Sequence, residues 1–285
     1  MKQKTNRYIG FLIIIAAVII AAGILVVVLT GQRKTDMKDN APKIRELLNT
    51  KKDLVIDCLG DSITWGMYES RELKEQVETG EVTTGIDDGG QLFEDYGIYI
   101  SSVYQSDPSY PEVLETELNR RLKEDGLAVS VTTFNDGICG DWITAESYKR
   151  ISCDPDIVIL FFGGNNFYFD FPIEGMFEKN IKALREKGKI LYLANYPLFP
   201  DEPYTKAFSD ANDYIAKIAE QEKVPLIDLY SGVEALVYEG SGQTPEGMFA
   251  RKELFSLDHI HLSEKGYALI GQLVTDALYK DFTEK

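Results

Sequence analysis

The sequence predicts an α/β domain with a mostly parallel, five-stranded sheet and helices on both faces. Strand and helix signals alternate from residue 54 to the end of the chain, which is typical of such domains. The run Asp156–Phe162 (DIVILFF) is short and almost wholly apolar, as expected for a central strand that is covered on both faces. With 285 residues the chain is long enough to bury a substantial core.

The candidate strands and helices follow one another along the chain. The first long helix, Tyr110–Asp125, has apolar residues at helical spacing and a glycine stop at Gly126. In parallel sheets ligands bind beyond the carboxyl ends of the strands, so we expect a functional site in the loops that follow them. The predicted strands are Leu54–Cys58, Ala128–Phe134, Asp156–Phe162, Ile190–Ala194 and Val224–Ile227, and the later helices are Phe177–Lys187, Tyr204–Glu222 and Ser263–Tyr279.

Residues 66–109 interrupt this alternation. The segment contains TGEVTTGIDDGG and is too long for an ordinary connection between two elements. We expect it to form a lid or a substrate-binding loop.

The first 50 residues are predicted to precede the α/β domain. A basic tail, residues 1–8, leads into an uncharged run, residues 9–30, that is long enough for a helix to cross a bilayer. The alternative is a cleaved signal peptide, whose apolar region is shorter and ends at an A-x-A site that this sequence lacks. Residues 31–50 are predicted to be a juxtamembrane linker that runs into a short helix, and residues 51–285 to be the domain.

Membrane orientation depends on the basic residues on either side of the predicted span. Lysines and arginines precede and follow the span in similar numbers, so the positive-inside rule favours neither orientation clearly. The short basic N-terminus ahead of a single span favours an N-terminus inside the cell. We therefore expect a single-pass protein of the cell membrane whose catalytic domain lies outside.

Charge and cysteine content exclude several classes of protein. The formal net charge is −16, and an acidic domain without a basic patch would be repelled by nucleic acid. The cysteines Cys58, Cys139 and Cys153 are too few and too scattered for a disulfide framework, and none forms a CxxC pair for zinc. We expect three free thiols, with a bridge between one pair as the alternative, and we expect no metal and no organic cofactor. No N-x-[ST] sequon is present, which favours a bacterial source.

A serine and two histidines are the candidates for catalysis. Ser62 follows a buried strand in 57-DCLGDSITWG-66, although a helix N-cap would explain that serine equally well. The two histidines of the chain, His259 and His261, lie in 256-SLDHIHLSEKGY-267. A hydrolase that activates a serine needs an imidazole base and a carboxylate that holds its tautomer, and Asp258 is three residues before His261. Taken singly, Asp258 could be an Asx-turn residue and His261 an exposed loop histidine.

Two further loops offer donors for an oxyanion hole. The backbone N–H groups of Ser62 and Gly140 could serve, Gly140 because the absence of a side chain lets substrate approach. Asn165 is the side-chain candidate, since Gly163 and Gly164 permit a tight turn after the apolar strand. Turn formation is the alternative explanation for these residues.

These motifs resemble the four blocks of the SGNH hydrolase superfamily, the GDSL-type esterases, over roughly residues 54–279. GDSI resembles the first block, with Ser62 as nucleophile, and NDGICGD the second, with Gly140 as an oxyanion donor. GGNN resembles the third, G-x-N-D, with Asn165 as the amide donor. DHIH resembles the last, D-x-x-H, with Asp258 and His261 as acid and base. The resemblance implies a flavodoxin-like three-layer α/β/α sandwich.

Three residues depart from that pattern or lie beside it. Asn166 replaces the usual aspartate of G-x-N-D, and we expect altered local hydrogen bonding rather than lost chemistry. Cys139, immediately before Gly140, is unusual, and we expect it to be a small buried apolar side chain. His259 is expected at the surface. The insertion at residues 66–109 prevents substrate inference from compact members of the family.

The resemblance implies a serine esterase that works through an acyl-enzyme. An outward-facing acidic esterase on a membrane suggests short O-acyl groups on surface or environmental glycans as substrates. A lipid esterase or lysophospholipase is the alternative, favoured by the aromatic run 167-FYFDF-171, which is otherwise expected as core and loop aromatics. An O-acyltransferase would use the same triad. A catalytically silent binding module would lack a triad residue, and all three are present.

Overall fold

The computed structural model describes residues 40–69, 103–199, 204–238, 253–256 and 260–283. Five strands form a parallel sheet in the order β4-β1-β5-β6-β7, and β2 pairs with β3 in a separate antiparallel ribbon. Counting only the sheet strands, this is the flavodoxin-like order 2-1-3-4-5. The predicted α/β class with a five-stranded parallel sheet is confirmed. The strands in this part of the chain are β1 (Asp53–Gly60), β2 (Met67–Glu69), β3 (Val103–Gln105), β4 (Ser130–Gly137), β5 (Ile157–Phe161), β6 (Ile190–Ala194) and β7 (Leu226–Ile227).

Helices cover both faces of the sheet. The α-helices in the described ranges are α1 (Ala41–Thr50), α2 (Ser62–Trp65), α3 (Tyr110–Glu124), α4 (Gly164–Tyr168), α5 (Met176–Glu186), α6 (Tyr204–Glu222), α7 (Leu229–Tyr238) and α8 (Glu264–Thr283). Helices α1, α3 and α7 pack on α8, whereas α4 and α5 pack on α6. Helix α3 connects β1 to β4 in one direction along the sheet, and α5 and α6 make crossovers in the other. Because such crossovers are right-handed, the two groups of helices lie on opposite faces.

Strand β5 is apolar along its whole length. All five residues of β5 are fully buried, as the sequence predicted for a central strand. The register places Ile56 of β1 between Thr133 of β4 and Ile157 of β5. Strand β1 extends to Gly60, two residues beyond its predicted end, so the chain leaves the sheet directly before Asp61 and Ser62. Helix α7 was not predicted; its sequence LYSGVEALVY is short and largely apolar.

The two ends of the predicted insertion meet in the β2–β3 ribbon. Met67 lies opposite Gln105, and Glu69 lies opposite Val103. The Tyr267 hydroxyl donates to the Met67 carbonyl oxygen at 2.7 Å, which attaches the ribbon to α8. Residues 70–102, on which the prediction of a lid mainly depends, lie outside the described residues.

The short helix expected at the end of residues 31–50 is present as α1. Its Ile44 is fully buried, and the amide nitrogen of Asn40 donates to the Leu191 carbonyl oxygen in β6 at 2.9 Å. The predicted domain boundaries stay predictions. The predicted membrane span, residues 9–30, lies outside the described residues, and no helix within those residues has the length and apolar character needed to cross a bilayer.

Candidate active site

Ser62 lies at the point where the chain turns from β1 into α2. Asp61 is the N-cap of α2, and its Oδ1 atom accepts a hydrogen bond from the Ile63 backbone N–H at 3.0 Å. Ser62 is therefore the first residue of the helix, where backbone N–H groups point outward. Gly60 makes this turn possible, because a Cβ atom there would lie 1.9 Å from Thr64 Oγ1. The N-cap that we considered as an alternative role for Ser62 belongs to Asp61.

His261 is brought to Ser62 from the other end of the chain. The distance from His261 Nε2 to Ser62 Oγ is 2.7 Å, although 199 positions separate the residues. Ser62 is 8% and His261 9% exposed. His261 precedes α8, in a segment where its carbonyl oxygen accepts from the Ser256 N–H at 2.8 Å. The spacing is that of a hydroxyl and the imidazole that could remove its proton.

Asp258 and His259 lie outside the described residues. The predictions that Asp258 orients the imidazole and that His259 is at the surface therefore stay predictions.

The loops that follow β4 and β5 meet beside α2. Asn165, in the first turn of α4, donates from Nδ2 to the Asp141 carbonyl oxygen at 2.6 Å. This contact joins the two loops that carry the predicted oxyanion donors Gly140 and Asn165. The β4 loop also lies against α2: Ile138 N–H donates to the Gly60 carbonyl oxygen at 3.1 Å, and a Cβ atom on Gly137 would lie 2.2 Å from Trp65 N.

Gly140 has the backbone conformation that glycine adopts most readily. Its φ angle is +73°, and a Cβ atom at this position would meet no atom within 4 Å. The space beside Gly140 is therefore open, as expected if substrate approaches there.

Asp61 is a buried carboxyl group next to Ser62, and sequence reasoning did not assign it a role. Burial raises the pKa of Asp61 from its usual 3.8 to about 6. Hydrogen bonds from the Tyr196 hydroxyl and the Ile63 N–H, and the positive charge available at His261, oppose that rise. Asp61 is the aspartate of the GDSI motif, so the sequence could have identified it as a candidate. No local pattern indicated Tyr196, which comes from the loop after β6.

Cys139 differs from its prediction as a buried apolar side chain. The residue is exposed, because the loop after β4 turns its Ile138–Gly140 segment outward. Partial desolvation of its thiol and the negative charge of Asp61 raise its pKa to about 11. The thiol therefore stays protonated near neutral pH and is a poor nucleophile. Cys58 and Cys153 are also free thiols.

Aromatic side chains form a surface next to the two donor loops. Trp142 is 38% exposed, Tyr168 38% and Phe169 46%. The rings of Trp142 and Phe171 lie 4.5 Å apart, and those of Phe169 and Phe171 lie 5.6 Å apart. We call Trp142, Tyr168, Phe169 and Phe171 the aromatic surface. Much of the run 167–171 thus faces solvent rather than the core.

The described residues contain no group of three or more His, Cys, Asp or Glu side chains that could hold a metal ion.

The chain also matches a known protein family. Residues 58–269, more than half of the chain, match the model of the GDSL-like lipase/acylhydrolase family. No curated protein matches the chain significantly.

Solved structures that are similar to this chain include three esterases or lipases. A two-domain esterase active on acetylated mannans is 18% identical, with a TM-score of 0.51, over 87% of this chain and 54% of the other. A lipase/acylhydrolase from Enterococcus faecalis is 22% identical, with a TM-score of 0.48, over 80% of this chain and 95% of the other. The acetyl xylan esterase AlAXEase is 18% identical, with a TM-score of 0.48, over 79% of this chain and 100% of the other. By the match of its family model, the chain belongs to the GDSL-like lipase/acylhydrolase family and is a carboxylic ester hydrolase.

Proposed function

We propose that the protein hydrolyses esters through an acyl-enzyme formed on Ser62. The observation that carries this proposal is the 2.7 Å contact between Ser62 Oγ and His261 Nε2 at the carboxyl end of β1. His261 takes the hydroxyl proton as Ser62 Oγ attacks the ester carbonyl carbon, and the alkoxy group leaves as an alcohol with the proton from His261. Water then attacks the acyl-enzyme with His261 as base, which releases the acid and restores Ser62.

The oxyanion of each tetrahedral intermediate is held by three donors. These are the backbone N–H groups of Ser62 and Gly140 and the side-chain amide of Asn165. Support comes from the contact that joins the Asn165 amide to the Gly140–Asp141 loop and from the open space at Gly140. Asp258, three residues before His261, is assigned the role of holding the imidazole in its catalytic tautomer.

The substrates that we propose are short O-acyl groups on surface or environmental glycans. The aromatic surface supports this choice, because the electron-rich face of an aromatic ring attracts the polarised C–H groups of a sugar ring. Trp142 follows Asp141, the partner of Asn165, and Phe169 N–H donates to the Asn165 carbonyl oxygen at 3.0 Å. The aromatic surface is thus continuous with the loops that would hold the reacting ester.

Two other activities remain as alternatives at the same site. The aromatic surface could instead contact the acyl chain of a lipid ester, as in a lysophospholipase. The net charge of −16 argues against an anionic lipid surface as the partner. An O-acyltransferase would replace water by a sugar hydroxyl and is distinguished by product analysis with an acceptor alcohol present.

We further propose that residues 9–30 hold the protein in the cell membrane with the catalytic domain outside. The support is the length and uncharged character of that run and the basic tail that precedes it. Protease protection in intact cells tests the orientation, and an intracellular domain would contradict it.

The test of the proposed activity compares p-nitrophenyl acetate with p-nitrophenyl octanoate for the wild type and Ser62→Ala. We expect wild-type turnover with a preference for acetate, and a loss of about 10⁴-fold or more in kcat in the variant. A preference for octanoate would favour the lipid alternative. Activity that survives in folded Ser62→Ala would refute the assignment of the nucleophile.

A further inference from the structure

Tyr196 is a fully buried residue that reaches the nucleophile segment from the loop after β6. Its hydroxyl donates a hydrogen bond to Asp61 Oδ2, 135 positions earlier in the chain. The tyrosine lies on the far side of Asp61 from the Ile63 N–H, which donates to Oδ1. Each carboxylate oxygen of Asp61 therefore has its own donor.

The surroundings of Tyr196 allow it little freedom. The side chain of Asn212 accepts from the Tyr196 N–H at 2.7 Å and donates to the Tyr196 carbonyl oxygen at 2.9 Å. The ring lies 5.0 Å from Phe161 and 4.8 Å from Phe208, measured between centroids. A side chain fixed by its backbone and by its ring holds its hydroxyl in one place.

We propose that Tyr196 is a positioning residue for the esterase reaction: its hydroxyl holds the Asp61 carboxylate ionised and oriented next to the Ser62–His261 pair. The proposal rests on the proposed function of Ser62 and His261. Asp61 caps the short helix that begins at Ser62, so its orientation helps to hold the backbone turn that carries Ser62. Its negative charge also favours the imidazolium that forms when His261 takes the serine proton.

The ionisation of Asp61 is the property that makes this role measurable. Burial raises the pKa of Asp61 to about 6, and the hydrogen bond from Tyr196 opposes that rise. Among the described residues, the titratable groups that face Asp61 are Tyr196, His261 and Cys139, each from a different loop. Without the Tyr196 hydroxyl, Asp61 stays protonated up to a higher pH. The active form of the enzyme, in which Asp61 is ionised, is therefore lost at a higher pH when the pH is lowered.

The experiment measures kcat/KM for p-nitrophenyl acetate from pH 5 to pH 9 in the full-length wild type and in Tyr196→Phe. We expect the acid limb of the variant to move up by about one to two pH units, the shift produced by losing a hydrogen bond to an ionised group. At pH 6 the variant should therefore be about 5- to 50-fold below the wild type, with a much smaller difference at pH 9.

Tyr192→Phe is the matched control. Tyr192 lies in β6, four positions before Tyr196, is buried, and also donates from its hydroxyl to a carboxylate, that of Asp281. Its substitution removes the same atom from the same strand region without touching Asp61. We expect the pH profile of this variant to match that of the wild type.

Asp61→Asn gives a second, independent test. With no carboxyl group to titrate at position 61, adding Tyr196→Phe should leave the pH profile of Asp61→Asn unmoved. An equal loss in Tyr196→Phe at every pH, or a profile that does not move, would overturn the positioning role. Ser62→Ala separates the two proposals: retained activity there refutes the proposed function, whereas its loss together with an unmoved Tyr196→Phe profile refutes only the role of Tyr196.

Discussion

Asn166 and Ile143 are joined by two hydrogen bonds between a side-chain amide and the backbone. The Ile143 N–H donates to Asn166 Oδ1 at 3.0 Å, and Asn166 Nδ2 donates to the Ile143 carbonyl oxygen at 3.3 Å. The same nitrogen donates to the Pro172 carbonyl oxygen at 2.9 Å. An asparagine suits this position, where the family pattern has aspartate, because an amide both donates and accepts whereas a carboxylate only accepts. These bonds connect the loop after β4 to α4 and to the segment that follows α4.

Asn166→Asp should therefore destabilise the fold at neutral pH. A carboxylate would leave the carbonyl oxygens of Ile143 and Pro172 without their donor and would put a charge at a position that is almost fully buried. We expect a loss of roughly 2 to 4 kcal/mol in the free energy of unfolding at pH 7, measured by urea denaturation. The loss should be smaller at pH 4, where a protonated carboxyl regains one donor. Equal stability of variant and wild type at pH 7 would contradict this account.

Gly140 and Gly126 form a matched pair for testing the oxyanion loop. Both have a φ angle of +73°, and a Cβ atom on either would meet no atom within 4 Å. Alanine at either position should cost about 1 kcal/mol of stability, because the left-handed conformation is unfavourable for residues with a side chain. Only Gly140→Ala should lower kcat/KM, by about 10-fold or more, since its methyl group would enter the space proposed for the ester oxygen.

The measurement is p-nitrophenyl acetate hydrolysis together with thermal unfolding of both variants. Similar stability losses with unequal activities are the expected result. If Gly140→Ala keeps wild-type activity, Gly140 does not lie where the oxyanion forms.

Asp57 should make the stability of the fold fall with rising pH. The side chain is fully buried in β1, and no described donor bonds to either of its oxygens. Burial, and then the negative charge of Asp136, raise the pKa of Asp57 from 3.8 to about 8. Because the folded state binds the proton more tightly than the unfolded state, this stability is fully present below about pH 4 and is lost as the pH rises through 8.

The test is urea denaturation of the wild type and Asp57→Asn at pH 5 and pH 9. Asparagine does not titrate, so between these pH values the wild type should lose roughly 2 to 5 kcal/mol relative to the variant. Asp210→Asn, at an exposed carboxylate paired with Lys206, is the control and should follow the wild type. Parallel pH dependence of the wild type and Asp57→Asn would mean that Asp57 is ionised throughout this range.

Trp142→Ala tests the role proposed for the aromatic surface. Loss of the indole face should raise KM for an O-acetylated polysaccharide by about 10-fold, the loss of one aromatic contact, and leave p-nitrophenyl acetate turnover within about 2-fold. Phe134→Ala is the control, because Phe134 is 37% exposed but lies in β4 outside the aromatic surface. Acetate release from the polymer is the measurement. Equal effects on both substrates would place Trp142 in the catalytic geometry rather than in glycan binding.

The strands were predictable because a strand that is buried on both faces needs a run of apolar residues, which is visible in the local sequence. The apolar run around β5 and the repeated alternation of strand and helix signals identified the parallel sheet before any contact was known. Prediction failed at α7, whose short sequence is largely apolar, and at Cys139, whose exposure depends on how its loop leaves the sheet. Both depend on the packing of distant segments, which a local pattern does not contain.

The sequence by itself determined the fold class and brought Ser62, Gly140, Asn165 and His261 forward as candidates, because motifs at strand ends are local and ordered. Only the tertiary structure decided that Tyr196 bonds to Asp61, that Asp57 is buried without a donor, and that the aromatic run faces solvent. The physical reason is that these properties belong to pairs of residues far apart in the chain. Hydrogen bonding and desolvation depend on which groups meet after folding. The spacing of residues along the sequence does not show which groups these are.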